Sequence, residues 1–306
     1  MTNHKNEHYQ PLVSIIMSCF NGEKYLSRAL ESIIDQEYYN WELIFWDNQS
    51  NDNSSIIFKK YNDNRFKYFY AETHTYVSEA RNKAIKNAKG EILAFLDVDD
   101  WWEKNKLSNQ IELFIDNKIG LVYSNYYLYN EITKKSEICH KYKLPSGNIL
   151  INLLQKYVVG LLTITIKKKY YDQLDYKFHK DLVIMGDMDL VIRLSSICKF
   201  GVIQKPLATY RYHNNNFSIL NREMHLKEID IWFSIMKNYE TISSNQNYHL
   251  IKKLYSKMKI IHFIVTNKRL KAFKFFFANK LTHKDRIKLS IALFLPAFII
   301  NRIRNK

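Results

Sequence analysis

The sequence predicts an α/β fold, a Rossmann-like and mostly parallel central sheet flanked by helices, followed by a helical basic extension. In the first 125 residues, apolar runs rich in branched side chains alternate with segments of helical periodicity. Polar clusters follow three of the apolar runs, at 18–21, 47–52 and 97–100. Because ligands bind beyond the carboxyl ends of parallel strands, we expect these three clusters to lie on one rim of the sheet.

The predicted elements follow in order along the chain. Their periodicity indicates strands at 12–18, 41–46, 66–71 and 91–96, and helices at 23–36, 54–61 and 77–88. Gly90 is expected to end the third helix. The later pattern is looser, with a strand at 161–167, a helix at 182–198, a strand at 202–212 and only helical periodicity from Met224 onward.

The charge of the chain is unevenly distributed. The 306 residues carry a formal net charge of +16, and residues 251–306 hold fifteen lysines or arginines against one acid, Asp285, which places +14 in this tail. Hydrophobic residues make up 46% of the chain, enough for a large core, which excludes general disorder. We therefore expect a catalytic domain over 1–220 and a helical, basic, amphipathic extension over 221–306.

Composition excludes several classes of protein. Three widely spaced cysteines form neither a disulfide framework nor a zinc cluster. The seven glycines include no Walker loop and no dinucleotide fingerprint. Residues 1–10 are polar and lack the apolar segment of a signal peptide. These observations predict a cytoplasmic protein.

A cluster of carboxylates follows the fourth predicted strand directly. Asp97, Asp99 and Asp100 would repel one another without a neutralising cation, and hard oxygen ligands suit Mg²⁺ or Mn²⁺. The alternative is a solvated loop that caps a helix beginning near Trp102. The position of the carboxylate cluster at a strand end, facing two other polar strand ends, favours a site for a metal that holds a diphosphate.

Four segments of the first 105 residues point to a family. Residues 13–22, 46–52, 79–82 and 95–100 are VSIIMSCFNG, WDNQSND, EARN and FLDVDD. In this order and spacing they resemble the family-2 glycosyltransferases, enzymes of the GT-A fold that use nucleotide-sugars. The resemblance extends over about residues 11–218. It implies a nucleoside-diphosphate-sugar donor, with the pattern at 47–48 favouring a UDP-sugar.

The resemblance places the nucleotide-sugar against residues at the matching positions. These are Ser18, Phe20, Asn21, Asp47, Asn48, Arg81, Asn82, Asp97, Val98 and Arg211. Phe20 replaces the usual Tyr and can still stack on a base. Asn48 departs from a common Asp-Asp pair, so its amide can accept from the base but also donates. Arg81 suits the diphosphate, and a salt bridge on a surface helix is its alternative role.

The resemblance also implies a metal site and a base. Asp97, Asp99 and His213 would bind Mn²⁺ or Mg²⁺, with a purely structural histidine as the alternative for His213. Residues 185–190, MGDMDL, resemble the family's Glu-Asp-x-Asp-Leu segment, which implies that Asp187 is the catalytic base. Gly186 replaces the usual Glu. The alternative for Asp187 is a charge favoured by the start of a helix.

The basic tail has more than one interpretation. Its lysines alternate with bulky apolar residues, and the nearly apolar stretch 289–300, broken by Pro296 and followed by Arg302, Arg304 and Lys306, is too short to span a bilayer. Such segments bind anionic membrane surfaces, so we expect a peripheral location on the inner face of the cytoplasmic membrane. Packing on the catalytic domain is the alternative. Nucleic acid is not an expected partner, because no recognition motif accompanies the charge.

Together, the residues and the resemblance predict a metal-dependent, inverting glycosyltransferase that acts on a lipid-linked or surface glycan in bacterial polysaccharide assembly. Two other hypotheses stay open. One is a non-catalytic membrane-surface protein of the same fold that binds nucleotide or glycan. The other is a sugar-phosphate nucleotidyltransferase, which is disfavoured because no cation stands near residues 18–21 before Lys24.

Overall fold

The computed structural model describes residues 9–278 and 283–295. The chain divides into two compact units, Met1–Glu228 and Ile229–Lys306. The boundary predicted at 220/221 lies a few residues before this division. The end of the basic tail, with Pro296, Arg302, Arg304 and Lys306, falls outside the described residues.

The described residues of the first unit form one sheet of nine strands: β1 (Val13–Cys19), β2 (Trp41–Asp47), β3 (Phe66–Tyr70), β4 (Ile92–Phe95), β5 (Trp101–Trp102), β6 (Ile119–Asn130), β7 (Lys135–Ile138), β8 (Thr165–Lys167) and β9 (Lys199–Tyr212). Their order is β3-β2-β1-β4-β8-β6-β9-β5, and β7 pairs with β6. The first four strands pair in parallel, as do β6 and β9. Antiparallel pairs involve β5, β7 and β8.

Helices connect the strands and continue into the second unit. They are α1 (Leu26–Ile34), α2 (Ser54–Lys59), α3 (Val77–Ile85), α4 (Lys106–Leu113), α5 (Leu150–Gln155), α6 (Lys168–Asp172), α7 (Gly186–Ser195), α8 (Phe217–Leu220), α9 (Arg222–Met236), α10 (Glu240–Ser243), α11 (Gln246–Val265), α12 (Arg269–Ala278) and α13 (His283–Phe294). The predicted alternation from β1 to β4 is confirmed, with ends that differ by a few residues.

The sheet is covered by apolar side chains on both faces, as the continuous apolar runs of β1, β2 and β4 require. Neighbouring residues of one strand point to opposite faces. Thus Ile15 packs in one core cluster with Leu30 of α1, and Ile16 packs in the other with Leu190 of α7. These two layers hold the carboxyl ends of the parallel strands in place.

Gly90 has a different role from the predicted one. Helix α3 ends at Ile85, and the positive-φ glycine among the described residues is Gly147. A Cβ at Gly90 would lie 2.5 Å from the carbonyl oxygen of Leu12, and the Gly90 N–H donates to Ser14 Oγ at 2.8 Å. The prediction of a helix stop was therefore wrong, since glycine is required here by the close approach of β1.

The second half of the first unit departs most from the predictions. The 12-residue strand β6 was not predicted, and the strand expected at 161–167 is a 3₁₀ turn, Leu161–Thr163, followed by the short β8. The strand expected at 202–212 is confirmed within the longer β9. Helix α7 begins at Gly186, inside the predicted helix at 182–198.

The described residues of the second unit are helical, as predicted from Met224 onward. Helices α11, α12 and α13 share an apolar cluster, formed by Ile260, Ile264, Ala272, Phe276, Leu289 and Leu293. Part of the apolar surface of the basic tail is therefore buried among these three helices. Among the described residues, no helix combines the length and the apolar character that crossing a membrane requires.

Candidate active site

A cavity of about 520 Å³ lies at the carboxyl ends of β1, β2 and β4. Its wall includes eight of the predicted site residues: Ser18, Phe20, Asn48, Arg81, Asp97, Val98, Asp99 and Asp187. The three polar strand ends therefore meet at one rim, as the strand order predicts. Five predicted site residues are not among those that line it: Asn21, Asp47, Asn82, Arg211 and His213.

Asn21 and Asp47 support the loops that follow β1 and β2. Asn21 adopts a left-handed φ of 54°, and its side-chain oxygen accepts from the N–H of Asn51 at 2.9 Å. Asp47 is fully buried, and its two oxygens accept from the Ser50 N–H at 2.8 Å and the Tyr68 hydroxyl at 2.6 Å. The side chains of these two predicted nucleotide-binding residues thus make hydrogen bonds that shape the rim.

Aromatic residues form one end of the cavity. The ring of Phe20 is half exposed and lies 4.3 Å from the ring of His74, centroid to centroid. Asn48 joins this end to the next loop, because its Nδ2 donates to the Thr75 carbonyl at 2.6 Å and its Oδ1 accepts from the Thr75 N–H at 3.2 Å. A carboxylate could not donate the first bond, which gives a physical reason for Asn where the family often has Asp.

Arg81 lies on α3 and reaches the acidic loop after β4. Its Nη2 is 2.6 Å from Asp97 Oδ1, and the Arg81 side chain is only 9% exposed. Arg81 is therefore a buried wall residue, in contrast to the alternative of a surface salt bridge. The neighbouring Asn82 does not line the cavity, and its side chain bonds both the N–H and the carbonyl of Phe178, at 3.0 and 2.8 Å. Its amide therefore supports the fold at this point.

Arg211 fixes the acidic loop from behind. Its backbone N–H donates to Asp100 Oδ1 at 2.9 Å, and its Nε donates to the Asp99 carbonyl at 2.8 Å. Its guanidinium also lies over the ring of Trp101, 4.8 Å from the centroid. Burial, followed by the charges of Asp99 and Asp97, raises the pKa of Asp100 well above its ordinary value. Arg211 thus positions the carboxylates and does not line the cavity itself.

Asp99 and His213 form the pair of side chains best suited to a divalent cation. His213 Nε2 lies 3.1 Å from Asp99 Oδ2, and the other ring nitrogen, Nδ1, is buried without a hydrogen-bond partner. Asp97, the third predicted ligand, is held by Arg81. Within 9–278 and 283–295, no three His, Cys, Asp or Glu side chains are grouped closely enough to hold a metal by themselves. An imidazole nitrogen and a carboxylate oxygen nevertheless fit Mn²⁺ or Mg²⁺ as a partial ligand set.

Asp187 stands in the first turn of α7 and lines the cavity. Burial raises its pKa to about 6, while the Met188 N–H bond and the charge of Arg81 act in the opposite direction. A carboxylate with this pKa is ionised at neutral pH and still basic enough to accept a proton. The preceding residue, Gly186, packs against α3, where a Cβ would lie 2.9 Å from Ser78 Oγ. This close packing explains a glycine where the family has Glu.

Sequence reasoning did not identify Glu228 of α9. Its Oε2 accepts from the backbone N–H groups of Ile184 and Met185, each at 2.9 Å, just before the helix that carries Asp187. Glu228 is only 2% exposed, and its Oε1 has no partner. The loop residues His74, Thr75 and Tyr76 were also missed, although they follow β3 and thus the fourth carboxyl end of the parallel strands. That position was the available signal.

The fold and this site together define an enzyme of the GT-A type, with a mostly parallel sheet and an acidic, aromatic-rimmed cavity at its carboxyl ends. The comparison with known families agrees. The model described as Glycosyl transferase family 2 matches residues 14–188, more than half of the chain. The chain belongs to this family and is a glycosyltransferase, which confirms the prediction of the family, the fold and the enzyme class.

Individual relatives add detail about other proteins. The Escherichia coli UDP-Glc:alpha-D-GlcNAc-diphosphoundecaprenol beta-1,3-glucosyltransferase WfgD is 33% identical over 220 residues, covering 69% of this chain and 83% of WfgD. S. aureus TarS 1-349, solved with UDP-GlcNAc, has a TM-score of 0.55 at 19% identity, over 67% of this chain and 59% of that one. The mannosyltransferase PcManGT from Pyrobaculum calidifontis, solved with GDP-Man and Mn²⁺, has a TM-score of 0.61 at 15% identity, over 97% and 88%. The two structures show the shared fold.

Proposed function

We propose that this enzyme transfers an uncharged or charged hexosyl group from a UDP-sugar to a hydroxyl of a lipid-linked glycan during bacterial surface polysaccharide assembly. The printed name of WfgD, with its UDP-glucose donor and diphosphoundecaprenol acceptor, supports this class of substrates. The observation that carries the proposal is Asp187, whose carboxylate has a pKa of about 6 and lines the same cavity as Asp97, Asp99 and Arg81.

The donor is proposed to lie along the first cavity. Its base would stack on Phe20 beside His74, and its diphosphate would reach Arg81, the cation that the cavity wall provides. Asp99 and His213 would hold Mn²⁺ or Mg²⁺, with oxygen atoms of the diphosphate as further ligands. When bound, the metal supplies neutralisation of the charge on the departing nucleoside diphosphate.

Asp187 is proposed to act as the general base. Its carboxylate accepts the proton of the acceptor hydroxyl as that oxygen attacks the anomeric carbon, and the bond from this carbon to the diphosphate oxygen breaks. One such displacement inverts the configuration at the anomeric carbon, so the proposed reaction is inverting. Arg81 and Asp97 lie close enough to the base for their charges to act on its pKa, Arg81 lowering it and Asp97 raising it.

Sugar transfer and its product test this proposal. With a UDP-sugar, Mn²⁺ and a lipid-diphosphate acceptor, we expect UDP as product, with turnover strongly reduced in Asp187→Asn and Asp99→Ala. Asp35→Asn, at an exposed position after α1, is the matched control and should keep full activity. Full transfer by both site variants would refute the mechanism. Pyrophosphate release from a nucleoside triphosphate would favour the nucleotidyltransferase, and nucleotide binding without turnover would favour the binding protein.

The second unit is proposed to bind the anionic inner face of the cytoplasmic membrane. On α12 and α13, apolar side chains outside the shared apolar cluster are exposed at several positions: Leu270, Phe273, Phe277, Ile287, Ile291 and Phe294. Exposed cations stand on the same two helices, at Lys271, Lys274, Arg286 and Lys288. Apolar residues that enter the interface and cations that bind anionic lipids together favour such a surface.

Vesicle binding tests the membrane proposal. Sedimentation with vesicles that contain phosphatidylglycerol should retain the wild-type chain and lose the double variant Phe273→Ser, Phe277→Ser. High salt or purely zwitterionic vesicles should weaken binding by the wild type, because salt screens the lysines. Ile56→Ser, an exposed apolar residue of α2, is the control. Unchanged binding by the double variant would contradict the proposal.

A further inference from the structure

The end of the cavity that Phe20 forms also contains an imidazole without an assigned role. His74 follows β3 and lines the cavity, and its side chain is exposed. Its ring lies 4.3 Å from the ring of Phe20, centroid to centroid, and is inclined to it by 54°. A nucleobase that lies flat on the phenyl ring would therefore meet an edge of the imidazole and not its face. The edge atoms of His74 decide what such a base must offer.

The hydrogen bonds around His74 fix which ring nitrogen carries the proton of the neutral imidazole. Nδ1 lies 2.9 Å from the backbone carbonyl oxygen of Asn48. Because a carbonyl oxygen only accepts, Nδ1 is the donor. The side-chain Nδ2 of Asn48 also lies 3.4 Å from Nδ1, but this contact is longer, and Nδ2 donates to the Thr75 carbonyl at 2.6 Å. The shorter bond decides the tautomer, which leaves Nε2 without a proton.

Nε2 of His74 is an acceptor that the described residues leave open, since both hydrogen-bond contacts of this side chain involve Nδ1. The amide of Asn48, at a position where the family often has Asp, is instead bonded to Thr75 through both of its ends. Its oxygen accepts from the Thr75 N–H and hydroxyl at 3.2 and 3.3 Å, and its nitrogen donates to the Thr75 carbonyl. The ring of His74 is thus held by the backbone of the loop after β2, with a bare nitrogen beside Phe20.

Nucleobases differ in what they present to a single acceptor. Uracil carries an N–H at ring position 3, whereas the same nitrogen of cytosine is bare and can only accept. An N–H at this position would pair with Nε2 of His74. A bare nitrogen would place two acceptors opposite each other and leave both unpaired, which costs more than a well-formed bond contributes. Sites built to hydrogen-bond one group of a ligand discriminate strongly against the analogue that lacks it.

We propose that His74 selects the nucleobase of the donor by accepting the N3–H of uracil at Nε2. This inference rests on the proposed function, because it concerns the UDP-sugar proposed there. It gives a physical reason for uracil over cytosine in this chain. It also assigns different tasks to the two rings: Phe20 stacks on the base whatever its edge presents, and His74 distinguishes one edge from another.

Calorimetry with the full chain and Mg²⁺ tests the selection at pH 8, where an ordinary imidazole is neutral. UDP and CDP share the ribose and the diphosphate and differ only at positions 3 and 4 of the base. We expect UDP to bind about tenfold more tightly than CDP. Equal affinity, in a chain that still transfers sugar from a UDP-sugar, would overturn the role of His74 and leave the proposed function standing. Absence of both nucleotide binding and transfer would overturn the two together.

Two variants separate the two nitrogens of His74. In His74→Asn, the amide nitrogen takes the place of Nδ1 and can still donate to the Asn48 carbonyl, but nothing replaces Nε2, so the preference for UDP should fall below about threefold. His74→Gln places an amide oxygen near the position of Nε2 and should keep most of the preference, although it loses the Nδ1 bond. His249→Asn, at an exposed position of α11, is the matched control.

The comparison of these variants decides the proposal. An unchanged preference for UDP in His74→Asn would overturn it. An equal loss in His74→Asn and His74→Gln would assign the effect to the shape of the loop and would overturn it as well.

Nitrogen NMR of the histidine side chains reads the tautomer directly. In the protein without nucleotide, the signals that disappear in His74→Asn should show a proton on Nδ1 and a bare Nε2. Addition of UDP should shift the Nε2 signal in the direction of a nitrogen that accepts a hydrogen bond, and CDP should leave it nearly unchanged. A proton on Nε2 at pH 8 would contradict the inference.

Discussion

Removing the carboxylate of Glu228, which does not line the cavity itself, should strongly lower the activity of the enzyme. In Glu228→Ala, the N–H groups of Ile184 and Met185 lose their acceptor at 2.9 Å. Each buried N–H left unsatisfied costs about 1–3 kcal/mol, so the variant should lose roughly 2–6 kcal/mol. Loss of a buried carboxylate offsets part of this, because burial raises the pKa of Glu228 and thus disfavours its charged form.

Activity should fall further than stability alone explains. The two N–H groups belong to the segment directly before α7, and Asp187 stands in the first turn of that helix. When the segment is released, we expect kcat to drop at least tenfold. The affinity for UDP should stay within about threefold of the wild-type value, because the base is proposed to bind at Phe20, which is distant in sequence and unchanged. Thermal unfolding measures the stability, calorimetry measures the affinity for UDP, and steady-state transfer measures kcat.

The conservative variant separates positioning from packing. In Glu228→Gln, an amide oxygen still accepts both N–H bonds, so kcat should recover to near the wild-type value. Because the folded-state pKa of Glu228 is raised, the folded protein binds this proton more tightly than the unfolded chain, and the buried charge weakens folding above the ordinary pKa. The neutral Gln should therefore not destabilise the folded protein at pH 7. Lys227→Ala, at the exposed neighbouring position, is the control. A wild-type kcat in folded Glu228→Ala would refute the reasoning.

Three further predictions concern other parts of the molecule. The rate of transfer should fall as the pH drops through about 6, since Asp187 must be ionised to accept a proton, and a flat profile from pH 5 to 8 would exclude it as the base. Arg81→Met should raise the KM for the donor roughly 10- to 160-fold, which corresponds to the loss of about 1.5–3 kcal/mol for one charge-assisted hydrogen bond to the diphosphate. Lys83→Met, on the same helix, is the control and should change this KM little. Gly90→Ala should lower the melting temperature by several degrees, because its Cβ would lie 2.5 Å from a backbone oxygen; an unchanged melting temperature would show that β1 can move aside.

Most of the first half of the fold could be predicted because its signals are local. Strands β1, β2 and β4 are buried on both faces, so their side chains are apolar almost without interruption, and the helices between them are amphipathic. Strand β6 lacks such a signal. Its first half is buried, and its second half is partly exposed and rich in tyrosine. The strand is stabilised by its pairing with β7, β8 and β9. Pairing between distant segments leaves no periodicity in either one alone.

For the site, the sequence by itself determined which residue types reach the rim, because the carboxyl ends of parallel strands must meet. Ser18, Asn48 and Asp97 needed only the strand order to come together. The tertiary structure decided which side chains face the cavity. Asp47 turns to Tyr68, and Glu228 reaches a segment 44 residues earlier in the chain. A side chain's direction follows from the hydrogen bonds and packing available around it, and those partners come from elements that only the folded chain brings near.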